Sequence, residues 1–115
     1  MFGIEMSVTS VDLLEELRAA LDGIEPLIAD RIVDIEMARL RVLADPVPFR
    51  QEFASLVESA VAVAGPSHPI SVRVSRTGSL ARIDVGTEGD GTRLEEVIGS
   101  MTVPLAPGGS SAADA

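Results

Sequence analysis

A chain of 115 residues has room for one hydrophobic core and buries roughly two-thirds of its unfolded surface. Its 18 acidic and 9 basic residues leave a net charge of -9, which argues against nucleic acid and anionic lipid as direct partners, and no apolar run approaches the ~20 residues of a membrane span. Cysteine is absent and all nine basic residues are arginine, which excludes disulfide frameworks, thiolate zinc sites, thiol catalysis, lysine phosphate loops and Schiff bases.

Met1 to Val8 lacks the basic region and long apolar stretch of a secretory signal, so a cytoplasmic location is expected. Asp12 followed by Glu15 reads as a helix start, and Leu14, Leu17, Leu21, Ile24 and Ile28 recur at three- and four-residue steps. Gly23 and Pro26 predict a bend or break in that helix, because proline lacks the backbone donor and clashes with the preceding turn. Val33, Ile35 and Met37, then Leu40, Val42 and Ala44, alternate with polar residues and read as a strand pair linked at Ala38 and Arg39. Asp45-Pro46 opens a second helix with the apolar stripe Phe49, Phe53, Leu56, Ala60 and Val63, closed by Gly65-Pro66.

Pro69 to Arg76 and Leu80 to Gly86 predict a hairpin through Thr77-Gly78-Ser79, with Ile70, Val72 and Val74 facing inward beside Ala81, Ile83 and Val85. Beyond the glycine-rich Gly86 to Gly91, residues Arg93 to Met101 read as a short helix. From Thr102 onward Pro, Gly, Ser and Ala dominate, so residues 1–101 are expected as the domain and 102–115 as a flexible tail.

Helix, two strands, Asp-Pro, helix, hairpin and a loop of spaced glycines follow one another in an order that resembles the ATP-binding domain of sensor histidine kinases, the GHKL or Bergerat-type ATPases. The resemblance runs from about Ser10 to Gly91. It includes Val11-Asp12-Leu13, Asp45-Pro46, Arg50-Gln51, Pro69-Ile70 and Ile83-Asp84-Val85. It implies a two-layer α/β sandwich with the helices on one face of a mixed sheet.

In that family the second helix carries Asn-Leu-Leu-x-Asn-Ala, whose second asparagine holds the magnesium that bridges the ATP phosphates. The matching stretch here is Ser55-Leu56-Val57-Glu58-Ser59-Ala60, with both asparagines replaced by serine. A hydroxyl is shorter than an amide and a poorer hard-cation ligand at that position. The family's Asp-x-Gly-x-Gly places its aspartate on the adenine amino group, and here it reads Thr87-Glu88-Gly89-Asp90-Gly91. Hydrogen bonds to a charged group contribute roughly 1.5–3 kcal/mol, so losing the aspartate weakens binding by about one to two decades. Downstream the resemblance implies a phenylalanine-containing segment and a second glycine-rich lid; this chain has Leu94 to Met101 and a faint echo at Gly108-Gly109-Ser110.

The candidate nucleotide-facing residues are therefore Ser55, Glu58, Ser59, Thr87, Gly89 and Gly91. The plainer reading makes Ser55 and Ser59 small residues where the helix meets a neighbour and Gly86 to Gly91 a turn. Acidic neighbours oppose a phosphate loop there, and the twelve-residue spacing of a calcium loop is missing. Asp12, Glu15, Glu16, Asp22 and Glu25 read as a solvated helix face. His68, between Ser67 and Pro69, lies just past a helix end, in the wrong place for a phosphoacceptor, so autophosphorylation by this chain alone is not expected.

The resemblance implies a degenerate histidine-kinase-type ATPase-like domain in two-component-type signalling, binding a kinase dimerisation domain or a response regulator. No cofactor is expected, and any ATP and magnesium binding that survives is expected to be weak. Two rivals stand beside it: a working ATP-binding domain in which Glu58 or Glu88 replaces lost ligands, and a structural or dimerising protein, a possible homodimer, that merely shares the helix and strand order and whose apolar stripes are its only function.

Overall fold

The computed structural model describes residues 7–65, 67–88 and 94–107. Asp12 ends strand β1 (Thr9–Asp12) and caps helix α1 (Leu13–Gly23), its carboxylate accepting the Glu15 amide at 3.1 Å. The buried face of α1 is Leu13, Leu17 and Ala20, while Leu14 is only half-buried. The expected break occurs: Ile24 closes α1 and opens a single turn, α2 (Glu25–Ile28), with Pro26 in its first positions.

Strands β2 (Val33–Glu36) and β3 (Arg41–Ala44) form where the alternation places them, but they do not pair with each other. The Leu13 amide donates to the Leu40 carbonyl at 3.0 Å, drawing the link toward the start of α1. From there β3 runs antiparallel to β1, with Thr9 opposite Ala44, while β2 runs parallel to β4, with Val33 opposite Ile70. Strand β1 itself is absent from the sequence reading, because Thr9-Ser10-Val11-Asp12 is short and mostly polar.

Helix α3 (Pro46–Ala64) starts as expected, with the Asp45 carboxylate accepting the Val47 amide at 3.2 Å. Its buried residues are Phe49, Phe53, Val57 and Ala60; Val63, expected in the stripe, is 61% exposed. The chain leaves α3 at Gly65, whose φ of 90° is a backbone region that side chains with a Cβ disfavour. The hairpin follows as β4 (Ile70–Thr77) and β5 (Leu80–Glu88) across a two-residue turn in which Gly78 has φ 63°. All six residues expected to face inward there are buried.

The expected helix from Arg93 to Met101 is instead strand β6 (Leu94–Pro104), antiparallel to β5. Register shifts between Val85 and Gly86 and between Thr87 and Glu88 put its apolar residues out of a simple alternation. The strand passes the domain boundary expected at 101. Beyond it, Leu105 bridges Val42, and the Ala106 amide donates to the Arg41 carbonyl at 3.0 Å, so residues 102–106 are folded rather than tail. Gly108-Gly109-Ser110 lies outside the described residues.

The result is a two-layer α/β sandwich. A four-stranded mixed sheet, β2-β4-β5-β6, carries α3 on one face; α1 packs beside α3, and the β1-β3 ribbon meets β6. The opposite face is polar: Arg73 pairs with Glu36 at 3.1 Å, and the Asp84 carboxylate accepts from Arg82 at 2.9 Å and from the Ser100 hydroxyl at 2.6 Å. Among the described residues, no helix is long and apolar enough to cross a membrane.

Asp12 links these parts, since it also pairs with Arg39 at 3.0 Å. Burial alone raises its pKa, but the Glu15 amide, the Arg39 guanidinium and the Leu14 amide together hold it below the ordinary 3.8. A depressed carboxylate stabilises the fold above its unfolded pKa, and that contribution is lost as pH falls through the folded value. Asp12→Asn, which keeps a capping oxygen, should therefore cost about 0.3–1 kcal/mol at pH 7. In denaturant titrations across pH, the gap between the two proteins should close below the ordinary value of 3.8; a gap of constant size would refute the charge assignment.

Candidate functional site

At 100° per residue, Phe49, Phe53, Val57 and Ala60 fall within an arc of about 80°, which fixes the face of α3 turned to the sheet. Ser59, Glu58 and Ser55 all lie away from it, about 80°, 100° and 120° beyond the edges of that arc. All three are exposed. Between them Leu56 is half-buried against β6, so close that a Cβ added to Gly99 would stand 2.7 Å from its Cδ2 atom. Gly99 pairs with Val85, two residues before Thr87 on β5.

Thr87 is buried in the sheet at 8% exposure, between Ile70 of β4 and Glu96 of β6. Gly89 and Gly91 lie outside the described residues. The fold thus puts the serine helix and the threonine strand in adjoining layers, and Leu56 of that helix packs on Gly99 of the neighbouring strand β6. Glu58, proposed as a replacement ligand, sits on the solvent side of α3.

One buried charged contact runs against the expected wet face of α1. Glu16 is buried in the interface of α1 with α3, where its carboxylate accepts from the Arg50 guanidinium at 2.7 Å. That hydrogen bond, with the attraction of the Glu16 charge, pushes the Arg50 pKa up. The signal was in the sequence: Glu16 precedes Leu17 and follows Leu13 by three, on the apolar side of α1 rather than on its wet face. Among the described residues, no three histidine or carboxylate side chains gather where they could hold a metal ion.

Among the described residues, grooves are lined by other side chains. One of about 480 Å³ runs between α1 and β2, past Arg18, Asp22 and Asp34. A second, of about 240 Å³, separates α1 from α3 beside Gly23 and Ala54. Another, of about 390 Å³, lies between the start of α3 and the end of β6 and is mainly apolar.

The element order and sheet are shared with solved kinase domains. The nucleotide-free catalytic domain of histidine kinase ThkA superposes with a TM-score of 0.62 at 25% identity, covering 70% of this chain and 57% of that one. The fold is that of a histidine-kinase ATP-binding domain. Mycobacterial sensor histidine kinase MprB matches this ATPase-like fold with a TM-score of 0.63 at 16% identity, over 76% of this chain and 59% of that one. ThkA in complex with the response regulator protein TrrA matches with a TM-score of 0.60 at 24% identity, over 68% of this chain and 25% of that one. The chain thus covers less than two-thirds of the length of each of these kinase structures. No protein-family model matches the sequence, and no curated protein does.

Proposed function

We propose that this chain is a degenerate histidine-kinase-type ATPase-like domain that works as a binding or regulatory module in two-component-type signalling, with weak or no ATP binding. The observation that carries the reading is the direct pairing of β5 with β6. Glu88 opposes Leu94 across five intervening residues, and β6 then lies against α3 through Gly99 and Leu56. Five residues leave no length for the phenylalanine-containing segment and glycine-rich lid that the resemblance implies after the hairpin.

The donor set argues the same way. Magnesium takes hard oxygen ligands in near-octahedral geometry, whereas the ligand helix offers the exposed hydroxyls of Ser55 and Ser59. Thr87, at the adenine position, is uncharged and buried. The residues present do not fit magnesium and ATP. In this reading Ser55, Ser59 and Thr87, with Gly89 and Gly91, mark what remains of a nucleotide cleft.

A signalling partner is the part of the reading supported by a neighbour, since ThkA is seen in complex with a response regulator. For this chain the expected partner is a response regulator or a kinase dimerisation domain. Calorimetry with ATP and magnesium is the deciding experiment. Heat no greater than that from ATP alone is expected. Tight, magnesium-dependent binding would establish a working nucleotide domain instead, and a stable dimer in sedimentation that binds neither nucleotide nor signalling protein would favour the structural reading.

A further inference from the structure

Strand β2 is an outer strand of the mixed sheet, paired with β4 on one side. The Ile70 amide donates to the Ile32 carbonyl at 2.9 Å, and with Val33 opposite Ile70 this register turns the backbone groups of Ile32, Asp34 and Glu36 toward β4. The amides and carbonyls of Val33 and Ile35 therefore point away from the sheet, along an edge that no other described strand occupies. That edge borders the groove of about 480 Å³ whose far wall is Arg18, Leu21 and Asp22 of α1. None of the lining residues is fully buried, so solvent reaches the edge.

The two faces of β2 differ in chemistry. Val33 and Ile35 are half-buried and, like Leu21, pack against the core, whereas Asp34 and Glu36 are exposed on the opposite face. Glu36 already pairs with Arg73 at 3.1 Å, but among the described residues Asp34 has no ion-pair partner. On the α1 rim Arg18 and Asp22, one turn apart, offset each other's charge. A second copy of the chain is a poor occupant. Antiparallel two-fold pairing through Val33 and Ile35 sets Asp34 directly opposite its own counterpart, where like charges are destabilising, and the net charge of -9 adds to the repulsion.

We propose that the groove between β2 and α1 takes an extended basic segment of a partner protein, added as a further strand beside Val33 and Ile35. Residues of that segment opposite Val33 and Ile35 are apolar and pack toward Leu21, and the one opposite Asp34 is arginine or lysine. The backbone bonds serve any extended chain; the alternation of apolar with basic residues supplies the choice. The site lies apart from the residues offered above for nucleotide, and its test uses neither nucleotide nor signalling protein, so either reading can fail alone.

A fluorescent peptide of alternating valine and arginine is the probe, beside one of the same composition with the two residue types in separate blocks. The alternating peptide should bind and slow amide exchange at Val33 and Ile35, and the block peptide should bind several-fold more weakly. Asp34→Arg should weaken the alternating peptide about five-fold or more, since an attractive cross-strand pair becomes a repulsive one, and should favour its valine-glutamate counterpart. Glu52→Arg, at an exposed position on α3, changes the net charge equally and should leave binding within about two-fold. Equal losses in the two variants would overturn the proposal, leaving only general attraction to an acidic chain. Failure of the alternating peptide to bind, or binding that leaves the Val33 and Ile35 amides unprotected, would overturn it as well.

Discussion

Phe53→Ala should lower stability by about 3–5 kcal/mol, the usual loss when a fully buried aromatic leaves a cavity. Phe53 has no exposed surface and is the largest of the fully buried side chains among the described residues, on the sheet-facing side of α3. A domain of this size has about 5–15 kcal/mol in total. At about 4 °C per kcal/mol, the melting temperature should fall by roughly 12–20 °C. A drop of only a few degrees would mean that α3 is not seated on the sheet as described, and the candidate site would lose its frame with it.

Gly99→Val reads the site directly, and the direction of its effect is informative. In an ordinary strand position valine is favoured over glycine, both for backbone entropy and for packing on a pleated surface. Here a Cβ would come within 2.7 Å of the Leu56 Cδ2 atom. Alanine can be met by a small swing of Leu56, which is a flexible and half-buried side chain. The two γ-methyls of valine drive further into α3, and the expected loss is about 1–3 kcal/mol. Pairing the change with Leu56→Ala should recover part of it, an interaction that a double-mutant cycle isolates. A stabilising effect of Gly99→Val alone would place β6 away from the helix and remove a contact on which the proposed function rests.

How far the fold could be read in advance depended on whether a signal was local. The start of α3 was legible because Asp45 and Pro46 act on amides within one turn, and the β4–β5 turn because Gly78 supplies a positive φ that few residues adopt. Strand partners were not legible. Four alternating residues in β2 and four in β3 announce extended chain, but the bond from Leu13 to Leu40 that separates them joins residues far apart in sequence.

Strand β6 was misread for a different reason. Leu94, Val97, Ile98 and Met101 fall at intervals of three, four and seven, which is helical spacing, and the register shifts opposite Val85–Glu88 are what produce it. For the site, the serine and threonine substitutions were visible as letters. That Leu56 packs on Gly99 was not, since it follows from β6 being a strand. Glu16 was read as wet because its neighbours are acidic, whereas its place beside Leu13 and Leu17 buries it against Arg50.

The parallel pairing of β2 with β4 has a kinetic corollary. Strands β4, β5 and β6 are joined by short links and can zip together in sequence, whereas Val33 meets Ile70 only after more than thirty residues, including all of α3, have been looped back. Closing a long loop costs entropy before any contact repays it, so the three-stranded meander is the part able to order first. Pulse-labelled amide exchange during refolding should accordingly protect Val72 to Val85 ahead of Val33 to Glu36.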